Sequence, residues 1–311
     1  MNANEDIGGE AADELRALVP DVETLALRLA AVDYLVDEGL ATSMFLSLRL
    51  PQPLLLEGEA GVGKTEAARS LALALDTPLI RLQCYEGIDV AEALYEWNYP
   101  RQLLSIRLAD SGGTALGEEQ LFGPEYLIRR PLLRALEHPG PRPAVLLIDE
   151  IDRADDDFEA FLLELLGEAS VTIPEIGTIR ATHPPIIVLT SNTDRDELES
   201  MLRPELLDRI DEVIVFAPLG SAEIEKIVEL QIELLATRVG AQSMQLHLSE
   251  RARQFLTGER MAQGNGARFV ARAIARHVTT PLSDAILRGR LAAGHTARVD
   301  YDGSDITVEA A

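Results

Sequence analysis

The run Gly58-Glu59-Ala60-Gly61-Val62-Gly63-Lys64-Thr65 restricts this chain more than any other stretch. It follows Leu54-Leu55-Leu56, an apolar run of the kind that forms a buried parallel strand, and precedes Glu66 to Leu75, a helix-forming segment. Strand, glycine loop and helix in that order are the context that the pattern G-x-x-x-x-G-K-T requires. Glycines let the backbone take left-handed angles and approach a ligand with no Cβ in the way. Successive N–H groups then form a concave nest for an anion, and the helix beginning there adds the positive end of its dipole. On this reading Gly58, Glu59, Ala60, Gly61, Val62, Gly63, Lys64, Thr65 and Glu66 contact a nucleotide. Lys64 supplies a point charge for the β- and γ-phosphates of ATP, and Thr65 offers its hydroxyl to Mg²⁺. The competing reading is a glycine turn that binds nothing, and the rest of the chain weighs against it.

Bulk properties narrow the field. A chain of 311 residues can hold one large domain and a smaller one. A hydrophobic fraction of 47% excludes a disordered chain. Lys and Arg number 28 against 52 Asp and Glu, a net charge of −24, so neither nucleic acid nor an anionic membrane is an expected partner. A local nest still admits ATP to so acidic a protein. The one cysteine, Cys84, allows no internal disulfide and no thiolate cluster, and it reads as a small buried hydrophobe. The five histidines lack ligand spacing, so no transition-metal site is expected. Met1 to Asp6 has no signal-peptide character, and no apolar run reaches the roughly 18 residues of a membrane span. A cytoplasmic protein is the expectation.

A second constellation follows downstream. Ala144 to Ile148 is an unbroken apolar run that ends in Asp149-Glu150. Parallel strands buried on both faces read this way, and ligands in such sheets sit beyond the carboxyl ends of the strands. Asp149 is therefore placed to hold Mg²⁺, through water, and Glu150 to orient and deprotonate an attacking water. The alternative is a pair of solvated acids at a strand end. Phe158, Phe161, Leu162 and Leu165 recur at helical spacing, with Gly167 as the expected stop. Val171 to Pro174 and Gly177 to Arg180 read as a hairpin. Ile186 to Ser191 reads as another buried strand leading to Asn192, a candidate partner for the attacking water or the γ-phosphate.

The remaining segments place these motifs. Residues 1–20 are acidic and read as a flexible tail or frayed helix. Helices are expected over Val22 to Val36 and Gly39 to Leu48, and a strand over Pro78 to Cys84. Tyr85 to Gly123 reads as irregular, with helical pieces near 91–95 and 101–108. Its aromatics, Tyr85, Tyr95, Trp97 and Tyr99, either grip a polypeptide or anchor a long loop to the core, with anchoring the stronger reading. Val213 to Phe216 is a last strand of the large domain, and Pro218-Leu219-Gly220 reads as a boundary. Beyond it come helices near 221–236 and 249–256, a long helix from about Ala267, and two strands, Thr296 to Tyr301 and Ile306 to Glu309. The division is thus a tail (1–20), a large α/β nucleotide-binding domain (21–218) and a mostly helical lid (219–311). On the long helix Arg268, Arg272 and Arg276 form a basic stripe.

With these residues in hand, the chain resembles the AAA+ ATPases, whose fold is a P-loop parallel sheet flanked by helices and followed by a helical lid. The likeness rests on Gly58 to Thr65 (Walker A), Leu146 to Glu150 (Walker B), Asn192 (sensor 1), Arg209 and Arg268. Residues 25–192 are similar to the MoxR group, and to its CoxD-type members in particular, through the strings LLLEGEAGVGKTEAA, ALYEWNYPRQLL and LLIDEIDRADDDFEAFLLELL. Residues 201–311 look more like the last module of ClpB/ClpC-type unfoldases, through LRPELLDRIDEVIVFAPLG, GARFVARAI and TTPLSDAILRGRL. The chain lacks the aromatic-glycine pore loop of those unfoldases and the paired arginines that follow TSN in CoxD-type proteins.

The resemblance implies a Mg²⁺-dependent ATPase working as a ring, a hexamer, that remodels a protein client. For a MoxR-like protein the client is a metalloenzyme under maturation, with a von Willebrand A domain protein as partner. The catalytic residues it implies are Glu150, Asn192 and Arg209. Arg209 is the arginine finger that reaches a neighbouring subunit's ATP, and Arg203 is a weaker candidate. Arg268 matches sensor 2, which lets the lid feel the γ-phosphate. Arg272 and Arg276 read as a solvated or acid-paired face. The alternatives are a Clp-like unfoldase that threads chains through its pore, and a scaffold that binds ATP without turning it over.

Overall fold

The computed structural model describes residues 13–34, 36–50, 52–112, 117–210, 212–217, 219–258 and 267–310. The chain divides into two compact units: Met1–Glu57 with Lys64–Val215, and Gly58–Gly63 with Phe216–Ala311.

The first unit is built on a five-stranded parallel sheet. Its strands are β1 (Leu54–Glu57), β2 (Leu79–Gln83), β5 (Val145–Asp149), β8 (Ile186–Ser191) and β9 (Glu212–Val215), in the order β2-β5-β8-β1-β9. β1, β5 and β8 are buried at every position, which is why their sequences are continuous apolar runs and do not alternate. The register sets Glu57 beside Ser191 and Gln83 beside Asp149, so polar groups gather at the carboxyl ends of the three inner strands and β2. Helices cover the sheet. Val22–Ala30 and Glu38–Arg49 each start on an aspartate, Asp21 and Asp37, whose side chain accepts a backbone N–H of the first turn at 2.8 Å. Lys64–Ala74 follows β1 and buries Ala67, Ala68 and Leu71. Asp155 caps Asp156–Glu168 in the same way, and that helix sends Phe158, Leu162 and Leu165 into the core.

Several expectations are revised. Of the two readings of residues 1–20, flexible tail or frayed helix, the described part from residue 13 follows the helical one and is packed. Residues 13–18 are helical, Leu15 and Val19 are buried, and Glu14 pairs with Arg142 at 3.2 Å. Residues 1–12 lie outside the described ones. Tyr95–Trp97 (β3) is not loop but pairs antiparallel with Leu127–Arg129 (β4). Trp97 is 5% exposed and packs edge-on against Tyr95 and Phe122, so these aromatics anchor the insertion, whereas Tyr85 and Tyr99 are exposed. The helix Tyr99–Gly112 is longer than its sequence signal. The expected hairpin is present as β6 (Ser170–Ile173) and β7 (Gly177–Arg180). Gly167 does not stop the helix before it, because the left-handed residue at the end is Ala169, φ 46°. A Cβ on Gly167 would lie 2.3 Å from Nη1 of Arg209, the far end of an exposed side chain that can turn aside.

The second unit has its own core, with Ile224, Val228, Leu256, Val270, Val278 and Val299 among its buried residues. Its helices are Ser221–Gly240, Glu250–Thr257, Ala267–Ile274 and Thr280–Leu287. The last two are joined by a wider, π-type winding over Ala275–Thr279, where a single long helix was expected. Pro281 has no N–H to donate one turn back, and the widened turn lies just before it. The unit also carries a three-stranded sheet, β10 (Gln245–Leu248), β11 (Thr296–Tyr301) and β12 (Ile306–Ala310), of which β10 had no expectation. Within this unit the Gly61 carbonyl accepts the Ala267 N–H at 2.8 Å, and a Cβ on Gly58 (φ 138°) would lie 2.6 Å from the Phe216 carbonyl oxygen. Pro218 and Gly266 lie outside the described residues, as does Asp211. Among the described residues no helix is long and apolar enough to cross a membrane.

Cys84 is 1% exposed, and its N–H donates to the Asp149 carbonyl at 2.8 Å. Burial pushes its thiol up to about 12, and the negative charge of Asp149 adds to the shift. A thiol so buried and so weakly acidic is unreactive. Native protein is therefore expected to give essentially no colour with a thiol-specific disulfide reagent at pH 8, and one equivalent once unfolded in guanidinium. Rapid stoichiometric labelling of the native chain would contradict this burial.

Candidate functional site

The chain from β1 into the Lys64–Ala74 helix turns through Gly58 (φ 138°), Gly61 (φ 93°) and Gly63 (φ 112°). All three angles favour glycine, which explains the two glycines of the pattern and the third, Gly61, between them. Glu59 and Ala60 are exposed at the loop, Val62 is buried, and Glu66 sits exposed in the first turn of the helix, 3.3 Å from Arg69. Acidic Glu66 at that position complements the helix dipole.

Lys64 and Thr65 open the helix and reach two different strands. The Lys64 ammonium, on a residue only 6% exposed, donates to Oδ1 of Asn192 at 3.1 Å. The Thr65 hydroxyl lies 3.3 Å from both carboxylate oxygens of Asp149. Residues far apart in sequence, 64–65, 149 and 192, thus converge at the carboxyl ends of β1, β5 and β8. The backbone N–H of Asn192 donates to Asp152 at 3.1 Å, so Asn192 is held from both sides.

Glu150 follows β5 in a left-handed conformation, φ 59° and ψ 54°. Such a conformation costs a non-glycine residue about 1–2 kcal/mol, and local bonds hold it. Its N–H donates to the Thr190 hydroxyl at 3.0 Å, and its carboxylate pairs with Arg153 at 3.1 Å. The left-handed turn separates Glu150 from the buried Asp149, so the two acids occupy different surroundings: Asp149 is 4% exposed, while Glu150 is partly exposed.

Three residues of this cluster had no sequence expectation. Thr190, fully buried, donates to Oδ1 of Asp149 while accepting from Glu150 N–H. Arg81, on β2, donates through Nε to Oδ2 of Asp149 at 3.0 Å and through Nη2 to the same oxygen. Glu57, the last residue of β1, is 2% exposed, and burial raises its carboxyl pKa. A polar residue ending a buried strand is a sequence signal for Thr190 and Glu57. For Arg81 the signal is a cation in an otherwise apolar strand.

The structure does not join Arg209 to this cluster. Its side chain is exposed, lies against Gly167, and has no hydrogen bond or ion pair among the described residues. Arg203 precedes a short helix, and its backbone N–H donates to buried Glu159 at 2.8 Å. Arg268 lies exposed on the Ala267–Ile274 helix of the second unit, and Arg272 and Arg276 are exposed beyond it.

The parallel sheet and the converging Lys-Thr, Asp and Asn side chains define a P-loop nucleotide-binding domain. Comparison with known proteins agrees. Residues 53–210 match the family model for the AAA domain (dynein-related subfamily), half of the chain, and residues 219–299 match the C-terminal, D2-small domain of ClpB protein. The chain belongs to the AAA+ ATPase family. It is 30% identical over 275 residues to Chaperone protein ClpB 1 of Parasynechococcus marenigrum, covering 81% of this chain and 29% of that protein. It is 32% identical over 274 residues to Chaperone protein ClpB 2 of Nostoc sp., covering 80% and 29%. It is also 32% identical over 276 residues to Chaperone protein ClpB of Meiothermus ruber, covering 81% and 30%. The chain therefore spans less than a third of the length of these relatives. These findings favour the Clp-like alternative over the MoxR-type metalloenzyme role that was the leading expectation.

Thr190 is the joint between Asp149 and Glu150. Thr190→Val keeps the shape but leaves a buried N–H and a carboxylate oxygen without that partner, a loss of about 1–3 kcal/mol. A urea unfolding curve is expected to show the midpoint falling accordingly with the slope unchanged. An unaltered midpoint would mean that the hydroxyl bridges nothing.

Proposed function

We propose that this chain is a Mg²⁺-dependent ATPase that assembles into a ring, a hexamer, and uses ATP hydrolysis to remodel protein clients in the manner of a Clp-like chaperone. One observation carries the ATPase chemistry: adjacent Lys64 and Thr65 bond across to Asn192 and Asp149 at the ends of two other strands. Such an arrangement cradles a triphosphate from the helix side and faces its γ-phosphate with the strand-end residues.

The loop N–H groups of 58–66 and the Lys64 ammonium bind the phosphates. Thr65 would hold Mg²⁺ through its hydroxyl and Asp149 through water. An all-oxygen set of one hydroxyl and one carboxylate fits that ion, which takes its remaining ligands from phosphates and water. Bound there, the ion neutralises phosphate charge. Glu150, clear of the buried carboxylate and partly exposed, accepts the proton of the attacking water. Asn192 orients that water or the γ-phosphate. Arg209 acts on a neighbouring copy's ATP; its exposed side chain, without a hydrogen bond or ion pair among the described residues, supports that role. Arg268 reads the γ-phosphate from the lid, and 21–218 and 219–311 are the functional halves. The ClpB-type match of residues 219–299 and the relatives named as ClpB chaperones favour a polypeptide client, unfolded in the Clp-like manner. Metalloenzyme maturation with a von Willebrand A domain partner is the second reading, supported by the sequence strings of the first unit.

Glu150→Gln is expected to lower steady-state hydrolysis about 10²–10⁴-fold while leaving ATP binding near wild type. Mixing it with Arg209→Ala subunits is expected to restore part of the activity, because each mutant supplies what the other lacks at a shared site. Hydrolysis unchanged in Glu150→Gln would remove Glu150 from its role. No rescue at any mixing ratio would place Arg209 outside the shared site.

A further inference from the structure

Asp149 already carries a cation. Arg81 Nε donates to Oδ2 at 3.0 Å, and Nη2 donates to the same oxygen. Oδ1 takes the Thr190 hydroxyl, and the Thr65 hydroxyl lies 3.3 Å from both oxygens. A carboxylate has about four lone-pair positions, so the guanidinium fills those of Oδ2. We infer that Arg81 is a built-in counter-ion that occupies Asp149 in the metal-free protein and must leave it before a divalent cation binds, so that Arg81 sets the metal affinity of the site. This rests on Asp149 being the metal-holding residue proposed above.

Three features support the exchange. The Asp149 side chain is 5% exposed but that of Arg81 is 45% exposed, so the guanidinium can swing outward without disturbing the core. Gln83 supplies a second acceptor, its Oε1 taking a bond from the same Nη2, so the arginine keeps a partner after leaving the carboxylate. The charges also demand it. Without a metal a buried carboxylate followed directly by Glu150 is best served by a counter-ion, and Arg153 already serves Glu150. Once a dication arrives, a +1 group on the same oxygen repels it, and the solvent-facing partner is the one free to move.

The test uses the full chain, stripped with EDTA and saturated with ADP, with Mn²⁺ as the probe and free Mn²⁺ read by electron paramagnetic resonance. Arg81→Met is expected to bind Mn²⁺ about tenfold more tightly than wild type, the size of effect that removing one nearby positive charge gives. Arg81→Lys, which keeps the charge, is expected to stay near wild type. Without metal, Arg81→Met is expected to melt below wild type, and Mn²⁺ with ADP to narrow that gap. Should the methionine variant fail to fold, Arg81→Gln replaces it with the same expectation. Folded Arg81→Met with wild-type or weaker Mn²⁺ affinity would overturn the proposal alone. Absence of Mn²⁺ binding by wild type and Asp149→Asn alike would overturn the metal role of Asp149 and, with it, this proposal.

Discussion

A carboxylate that is 4% exposed must be hydrogen-bonded or paired to remain charged, and Asp149 meets that demand with donors from three other elements. Thr65 comes from the helix after the glycine loop, Thr190 from β8 and Arg81 from β2. The same carboxylate therefore fastens the loop helix to the middle of the sheet and fixes the position from which Glu150 departs. Removing any of these donors changes both the stability of the strand ends and the shape of the site, because one set of bonds serves both.

The strands and the loop that follows β1 bring those groups together. Continuous apolar strands make a sheet buried on both faces, and a parallel sheet puts all its carboxyl ends on one edge. The register then sets Gln83 next to Asp149 and Glu57 next to Ser191. Three glycines with positive φ let the chain turn back from β1 into a helix whose first residues face that edge. Glu150 leaves β5 in a left-handed conformation, and Thr190 and Arg153 hold it there.

Much of this was legible in the sequence because its signals are local. The glycine pattern, the apolar runs of β1, β5 and β8, and the strand-end residues Asp149, Glu150 and Asn192 declare themselves within a few residues. What escaped depended on partners distant in the chain. Tyr95–Trp97 becomes a strand only through Leu127–Arg129, and β10 only through β11. Gly167 carries a stop signal, yet the helix runs on and Ala169 takes the left-handed conformation at its end. Arg81 and Thr190 are ordinary strand residues until the sheet sets them beside Asp149. Residues 13–20 read as tail or frayed helix because the segment is short and acidic, although Leu15, Leu18 and Val19 fall at helical spacing and Leu15 and Val19 are buried.

Everything said of chemistry depends on Thr65 and Asp149 forming one oxygen-lined position for the metal that accompanies ATP. The most direct measurement is phosphate release from ATP and Mg²⁺ by the full chain and by Thr65→Val, which keeps the shape of the side chain and removes the hydroxyl. The expected result is steady turnover by the wild-type chain and a loss of about a hundredfold or more in the variant, the scale seen when one group that stabilises developing charge is removed. Turnover by Thr65→Val equal to that of wild type would contradict the assignment of the site.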